Sequence, residues 1–235
     1  MERSDFKNMS QTFVLSVGGS LIVDQQGINY EWLKKFCLLV RQGIKNGHRF
    51  YLVAGGGVTA RQYIQAASKI IKASQDDKDW VGIEATRLNA LLLRVILGGL
   101  ADPAIIIDPT KKIKSDYKIR IAAGYKPGRS TDYVAVALAK RLGVKRVINL
   151  SNIDYAYNKD PRRFKDAQPL LNVSWPEFRR VVGDVWQPGA NAPFDPIASR
   201  LAEENKLSVA ILHGGNLTNL RKCLSGRAFI GTSIK

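Results

Sequence analysis

Three glycine-rich turns, Gly18-Gly19-Ser20, Gly55-Gly56-Gly57 and Gly124 to Ser130, each follow a short apolar run and precede a helical pattern. That arrangement suits the chemistry of phosphate binding. A phosphate needs several backbone N–H donors pointing inward, and only residues without a Cβ let the chain approach closely and take positive φ. A helix that starts behind the turn adds the positive end of its dipole. None of the turns fits G-x-x-x-x-G-K-[ST], and none fits G-x-G-x-x-G in a βαβ unit. The residues by themselves point to an anionic, phosphorylated ligand and leave the reaction open.

Polar side chains near the turns add candidates. Arg61 lies one turn into the helix behind Gly57, where it reaches back to a phosphate or stands as a surface arginine. Asp79 precedes Trp80-Val81-Gly82, where a functional carboxylate and a helix N-cap are equally good readings. Arg87 and Asn89 lie inside an apolar helix, so each needs a polar partner or a solvent face. Lys126 and Arg129 flank Pro127-Gly128, where cations suit a transferring phosphoryl group. Thr131 and Asp132 follow at a helix start, where capping is the ordinary role. Ser151-Asn152-Ile153-Asp154 ends a strand, and Tyr157 and Asp160 come next. An aromatic ring and a carboxylate there hold a nucleobase and ribose, or pack a loop. His48 and His213 have no metal-ligand spacing, and no metal site is expected.

These groups must be carried by regular elements. Thr12 to Val17 and Phe50 to Ala54 read as buried strands. Helices are expected over Tyr30 to Asn46, Val58 to about Ala73, Asp79 to Leu97 and Ser130 to Leu142, with Gln75 to Lys78 a polar break. Further strands are expected at Ala104 to Ile107, Lys118 to Ala123, Val144 to Leu150, Leu207 to Leu212 and Arg227 to Ile234. Ser174-Trp175-Pro176-Glu177 is a capping box, Asp195-Pro196 opens another helix, and Asn219 to Leu224 forms a short one. Strands alternating with helices predict an α/β fold with a largely parallel sheet covered on both faces. In such a sheet the turns behind the strands meet at one crevice. Residues 1–11 are polar and expected to fray, and the Gly/Pro-rich stretch 183–193 is a candidate lid.

Composition bounds the rest. The chain has 235 residues, 45% hydrophobic and 24% charged, which fits an ordinary globular domain. No run approaches the roughly 18 apolar residues of a membrane span, and no signal peptide is legible, so a cytoplasmic location is expected. Two cysteines, Cys37 and Cys223, make no disulfide framework. Lys and Arg number 36 against 20 Asp and Glu, a net charge of +16 that suits an anionic partner or a solvated basic surface. The basic residues are spread without a polybasic block, so nucleic acid is possible as a partner without being favoured.

Taken together, the motifs resemble the amino acid kinase family, most closely its archaeal-type UMP kinases. The resemblance runs from about residue 12 to 234. It rests on Val17-Gly18-Gly19-Ser20, on Gly55-Gly56-Gly57-Val58-Thr59-Ala60-Arg61, and on Gly82-Ile83-Glu84-Ala85-Thr86-Arg87-Leu88-Asn89-Ala90. It rests also on Gly124 to Asp132, on Ser151 to Asp154 with Tyr157 and Asp160-Pro161, and on Asp195-Pro196. The resemblance implies a single domain, a three-layer α/β/α sandwich with a UMP-binding lobe over residues 1–150 and an ATP-binding lobe over 151–235. It implies the reaction ATP + UMP → ADP + UDP in pyrimidine biosynthesis, with Mg2+ accompanying ATP, and a homohexamer.

The implied roles follow the motifs. Gly19, Ser20, Gly57 and Arg61 surround the ATP phosphates, and Ser151, Asn152, Tyr157 and Asp160 hold the rest of ATP. Gly56 and Asp79 contact UMP, which Tyr125, Lys126, Pro127, Gly128, Arg129, Ser130 and Thr131 enclose. Ser16 stands where many members carry a lysine, Ala123 and Tyr155 replace family glycines, and Arg200 replaces a lysine. Lys126 or Arg129 is expected to supply the missing charge, and with Asp132 they are the catalytic candidates. The alternatives are a family member acting on another phosphate or carboxylate, and a non-catalytic regulator that binds nucleotide or nucleic acid.

Overall fold

The computed structural model describes residues 10–183 and 192–235. Most of the expected frayed start and of the candidate lid lies outside them. Strand β1 (Thr12–Val17) leads through a single helical turn, α1 (Gly19–Ile22), into a short hairpin, β2 (Val23–Asp24) and β3 (Gly27–Ile28). Helix α2 (Tyr30–Lys45) is capped by Asn29, whose side chain accepts from Trp32 N at 3.1 Å. Trp32, Leu33, Phe36, Leu39 and Val40, three or four apart, form its buried stripe. Then come β4 (Arg49–Ala54), α3 (Gly57–Ile70), α4 (Gln75–Leu97), a 3-10 turn (Gly98–Leu100), β5 (Ala101–Ile106) and β6 (Ile119–Ala122). Helix α5 (Thr131–Leu142) and β7 (Arg146–Ser151) follow.

The remainder is more broken: β8 (Ala156–Tyr157), β9 (Pro169–Leu170), β10 (Asn172–Val173), α6 (Trp175–Val182), α7 (Pro196–Glu204), β11 (Ser208–His213), α8 (Leu217–Leu224) and β12 (Thr232–Ile234). Eight strands form one sheet in the order β10-β12-β11-β7-β1-β4-β6-β5. All neighbours are parallel except β11 and β12. The chain runs from β1 outward to β4 on one side and returns to β7 on the other, so β1 lies at the topological switch point. Open α/β sheets bind ligands in the crevice such a switch creates.

Alternation along the strands divides the core into two layers. Leu15, Val17, Ile148 and Leu150 face α2, α4 and α8 with Phe36, Leu93 and Leu220. Val14, Val147, Val209 and Ile211 face α5, α6 and α7 with Leu138, Phe178 and Ala198. The sheet therefore has helices on both faces, as expected.

Two expectations need correction. Gln75 to Lys78 is no break but the first turn of α4. Ser74 accepts from Asp77 N at 3.1 Å and the Asp77 carboxylate reaches back to Ser74 N, a reciprocal cap that lets a polar run start a helix. Asp79 is thus inside the helix and is not its N-cap. The final strand is limited to Thr232–Ile234, the residues that find a partner in β11.

Candidate active site

The first two glycine turns touch backbone to backbone. A Cβ built on Gly19 would lie 2.1 Å from Gly57 N and 2.6 Å from Gly55 O. A Cβ on Gly57 would lie 2.4 Å from Gly19 O, and Gly57 has φ +62°. Both positions exclude side chains sterically, and Gly57 excludes them conformationally as well. The ends of β1 and β4 are thereby held closer together than any other residue type permits. Gly18 N donates to Leu150 O at 2.8 Å, which draws the end of β7 to the same place. A fourth turn, Gly214-Gly215 after β11, joins through Gly214 N to Ser151 O at 2.8 Å. Trp32 Nε1 donates to Gly214 O at 2.8 Å and ties this turn to α2. The sequence reading did not single out that turn, although a Gly-Gly pair directly behind an apolar run was its signal.

Helix α4 holds the second and third turns from one face. Asn89 is buried, and its Nδ2 donates to Gly55 O at 2.8 Å and to Gly56 O at 3.3 Å. Thr86, three residues earlier and also buried, donates to Ile83 O at 2.6 Å and accepts from Gly124 N at 2.6 Å. Asp79 lies two turns before that, and its Oδ2 accepts from Gly128 N at 2.7 Å. Positions 79, 86 and 89 lie on one side of a 3.6-residue helix. Asn89 thus finds the partner its burial demands, whereas Arg87 pairs with Glu84 at 2.6 Å on the outer side.

A carboxylate stands at the switch point. Ser16 of β1 is opposite Asn149 of β7 in register, and both face α5. Asp132, in the first turn of α5, accepts from Ser16 Oγ at 2.9 Å and from Asn149 Nδ2 at 2.8 Å through the same oxygen. Its other oxygen accepts from Asp195 N at 3.3 Å. Burial pushes the Asp132 carboxyl up to about 7, the Asp195 charge adds to the rise, and the hydrogen bond from Ser16 is the largest opposing influence. The Asp195 carboxyl is also raised, by burial first. A lone polar residue in the apolar run of β7 was the signal for Asn149, and it passed unremarked.

The remaining candidates divide into two groups. Ser130 caps α5 through Tyr133 N at 3.1 Å, so Tyr125 to Ser130 lie in the loop from β6 to α5, and Thr131 is the first residue of that helix. In it Lys126 is exposed with its ammonium 5.1 Å from the Tyr125 ring centre. Arg129 lies 5.0 Å from the Tyr133 ring centre and donates to Gly128 O at 2.7 Å. Gly19 and Ser20 begin α1, and Arg61 is exposed on α3. Ser151 ends β7 and Asn152 follows it. The contacts of Asp160 are local instead. Its carboxylate takes Arg162 in a two-point contact, both at 3.1 Å, which holds the carboxyl below the usual range. Tyr157 pairs with Pro169 in the small β8–β9 hairpin.

Comparison with known proteins identifies the family of the chain. The model of the amino acid kinase family matches residues 11–213. A uridylate kinase of Staphylothermus marinus is 33% identical over 207 residues, covering 87% of this chain and 90% of that protein. A uridylate kinase of Methanospirillum hungatei is 34% identical over 227 residues, covering 95% of this chain and 94% of its own. Among solved structures, the uridylate kinase of Archaeoglobus fulgidus superposes with a TM-score of 0.78 at 28% identity, covering 97% of this chain and all of that one.

Two outcomes follow from the site. Asn89→Asp would set a carboxylate against the Gly55 and Gly56 carbonyls, whereas Asn89→Ala only removes a donor, at about 1–3 kcal/mol for a buried group left unsatisfied. Thermal melts at pH 8 should therefore rank parent above Asn89→Ala above Asn89→Asp, and equal losses would contradict the bonding described. For Asp132 the folded value is raised, so its contribution to stability is complete below its ordinary value of 3.8, declines as pH rises toward about 7, and is absent above. The melting temperature of the parent should fall between pH 5 and pH 7.5 more steeply than that of Asp132→Asn. Parallel profiles would contradict the assignment.

Proposed function

The chain belongs to the amino acid kinase family, and from that premise we propose that it transfers the γ-phosphate of ATP to UMP, giving ADP and UDP. The observation that carries this reading is the convergence of glycine turns, at contact distance, on the carboxyl ends of β1 and β4, in a chain whose relatives are named uridylate kinases.

A UMP phosphate oxygen attacks the γ-phosphorus while the bond from that phosphorus to the β–γ bridging oxygen breaks, and ADP leaves with the electron pair. The attacking oxygen is already ionised at neutral pH, so no general base is required and a catalytic histidine is unnecessary. What the protein must overcome is repulsion between two polyanions held in line. Backbone N–H groups at Gly19, Ser20 and Gly57 serve the ATP phosphates, and Arg61 reaches them from α3. Ser151, Asn152, Tyr157 and Asp160 serve the rest of ATP. Gly56, Asp79 and the loop from Tyr125 to Thr131 serve UMP, with Asp79 fixing that loop through Gly128. On this assignment residues 1–150 form the UMP-binding lobe and 151–235 the ATP-binding lobe, and one sheet runs through both.

Ser16 brings no charge to the reacting phosphoryl group. Lys126 and Arg129, the cations of the third turn, supply it. Asp132 is a positioning residue that locks β1 to β7 through Ser16 and Asn149. Among the described residues no group of three His, Cys, Asp or Glu side chains could hold an ion unaided, so Mg2+ fits here as a companion of ATP. When bound, it neutralises charge on the phosphate oxygens. No helix among the described residues is long and apolar enough to cross a membrane. A cytoplasmic homohexamer working in pyrimidine nucleotide synthesis completes the reading.

The test is ADP release by the purified chain with ATP and Mg2+ against UMP, CMP, dUMP and isopentenyl phosphate. UMP should be the preferred acceptor. Arg129→Ala should lower kcat by about 10²-fold, the scale for removing one group that stabilises transition-state charge. Preference for another acceptor, nucleotide binding without turnover, or an unchanged rate in both Arg129→Ala and Lys126→Ala would each overturn the corresponding part of the proposal.

A further inference from the structure

The sheet has a second edge. At the amino ends of β1, β7 and β11, opposite the glycine turns, lies a cleft of about 770 Å³. That size falls within the range of small-molecule sites, roughly 300–1,000 Å³. Phe13, Ile148 and Leu224 supply apolar lining, and Lys145, Arg146 and Ser208 supply polar lining.

The cations here are not explained by the fold. Helices α5 and α8 both end at this cleft, and their last turns already carry Lys140 with Arg141 and Arg221 with Lys222. Those residues answer the negative ends of the helix dipoles. Lys145 and Arg146 lie beyond α5, at the start of β7, and both are exposed. The ion pairs described involve Arg87, Lys159, Arg162 and Arg179, so neither Lys145 nor Arg146 has a carboxylate partner among the described residues. Arg146 engages Ser208 Oγ through Nε at 3.3 Å, and its two terminal nitrogens make no hydrogen bond among the described residues. A guanidinium with free terminal nitrogens is a bidentate donor for phosphate or carboxylate. A neighbouring ammonium excludes a cationic ligand and leaves a neutral one without reward.

We propose that this cleft binds a small organic anion, one whose phosphate or carboxylate meets Lys145 and Arg146 while its flat apolar body lies against Phe13, Ile148 and Leu224. The site is separate from nucleotide phosphorylation and does not depend on that reading. It also gives a use to part of the +16 charge. The cleft is bounded, which favours a compact ligand over a polymer that would need a continuous track of charge.

Calorimetric titration of the full chain with phenyl phosphate, benzoate and benzyl alcohol tests this. Two double variants separate the two edges of the sheet: Lys145→Ala with Arg146→Ala, and Lys126→Ala with Arg129→Ala. At least one of the anions should show a binding event that persists in the 126/129 variant and weakens at least about tenfold in the 145/146 variant. Lys145→Arg, which keeps both charges and the Arg146 guanidinium, should retain it, and benzyl alcohol should not bind. Stronger binding of phenyl phosphate would identify a phosphate ligand, and stronger binding of benzoate a carboxylate. Absence of binding by both anions, equal affinity in the parent and the 145/146 variant, or loss confined to the 126/129 variant would overturn the proposal.

Discussion

The contact on which this structure depends is between two stretches of bare backbone. Gly19 rests against Gly55 and Gly57 at distances that no Cβ could occupy. Because the two turns touch, the helices behind them, α1 and α3, start from neighbouring points. On the proposed function, phosphate groups are gathered there by backbone and without long side chains, so little conformational freedom would be lost on binding. The cost is intolerance: any substitution at Gly19 or Gly57 must move a strand end, and the strands are those at the centre of the sheet.

The rest of the site can be understood as support for that contact. Asn89 and Thr86 fix the carbonyls and amides of the second and third turns from within α4, and Asp79 extends the same face to Gly128. On the opposite side of the sheet, Asp132 joins β1 to β7 through two neutral donors. Position 16 is a serine, which brings no charge to this carboxylate. With serine there, no cation among its hydrogen-bond partners offsets its burial, and its proton is held to near neutrality. The carboxylate is thus held by a neutral clasp of Ser16 and Asn149.

Much of this was legible in the residues, for identifiable reasons. Apolar runs ending in glycines located the strand ends because a buried parallel strand and a close turn each have a strong local signature. The spacing in α2 and the capping box at Ser174 were equally direct, since both act within a few residues. The start of α4 was missed because its cap uses Asp77 and its first turn is wholly polar, so no apolar period marks it. Asn149 was missed because its role depends on a register partner, Ser16, and on Asp132 of a different layer. The two-residue strands β8, β9 and β10 have no pattern of their own and exist through their neighbours. Asp79 was a candidate from the start, but its partner is 49 residues away, which spacing along the chain does not reveal.

The central claim is that the converging turns hold two nucleotides end to end. Its most direct measurement is the binding of a single molecule in which uridine and adenosine are joined by a chain of five phosphates. The account predicts one such molecule per chain, bound more tightly than UMP or ATP, displacing both, and lost in Gly57→Ala. If UMP or ATP still bound with the conjugate in place, or if Gly57→Ala bound it as well as the parent, the turns would not form one site and the account would fail.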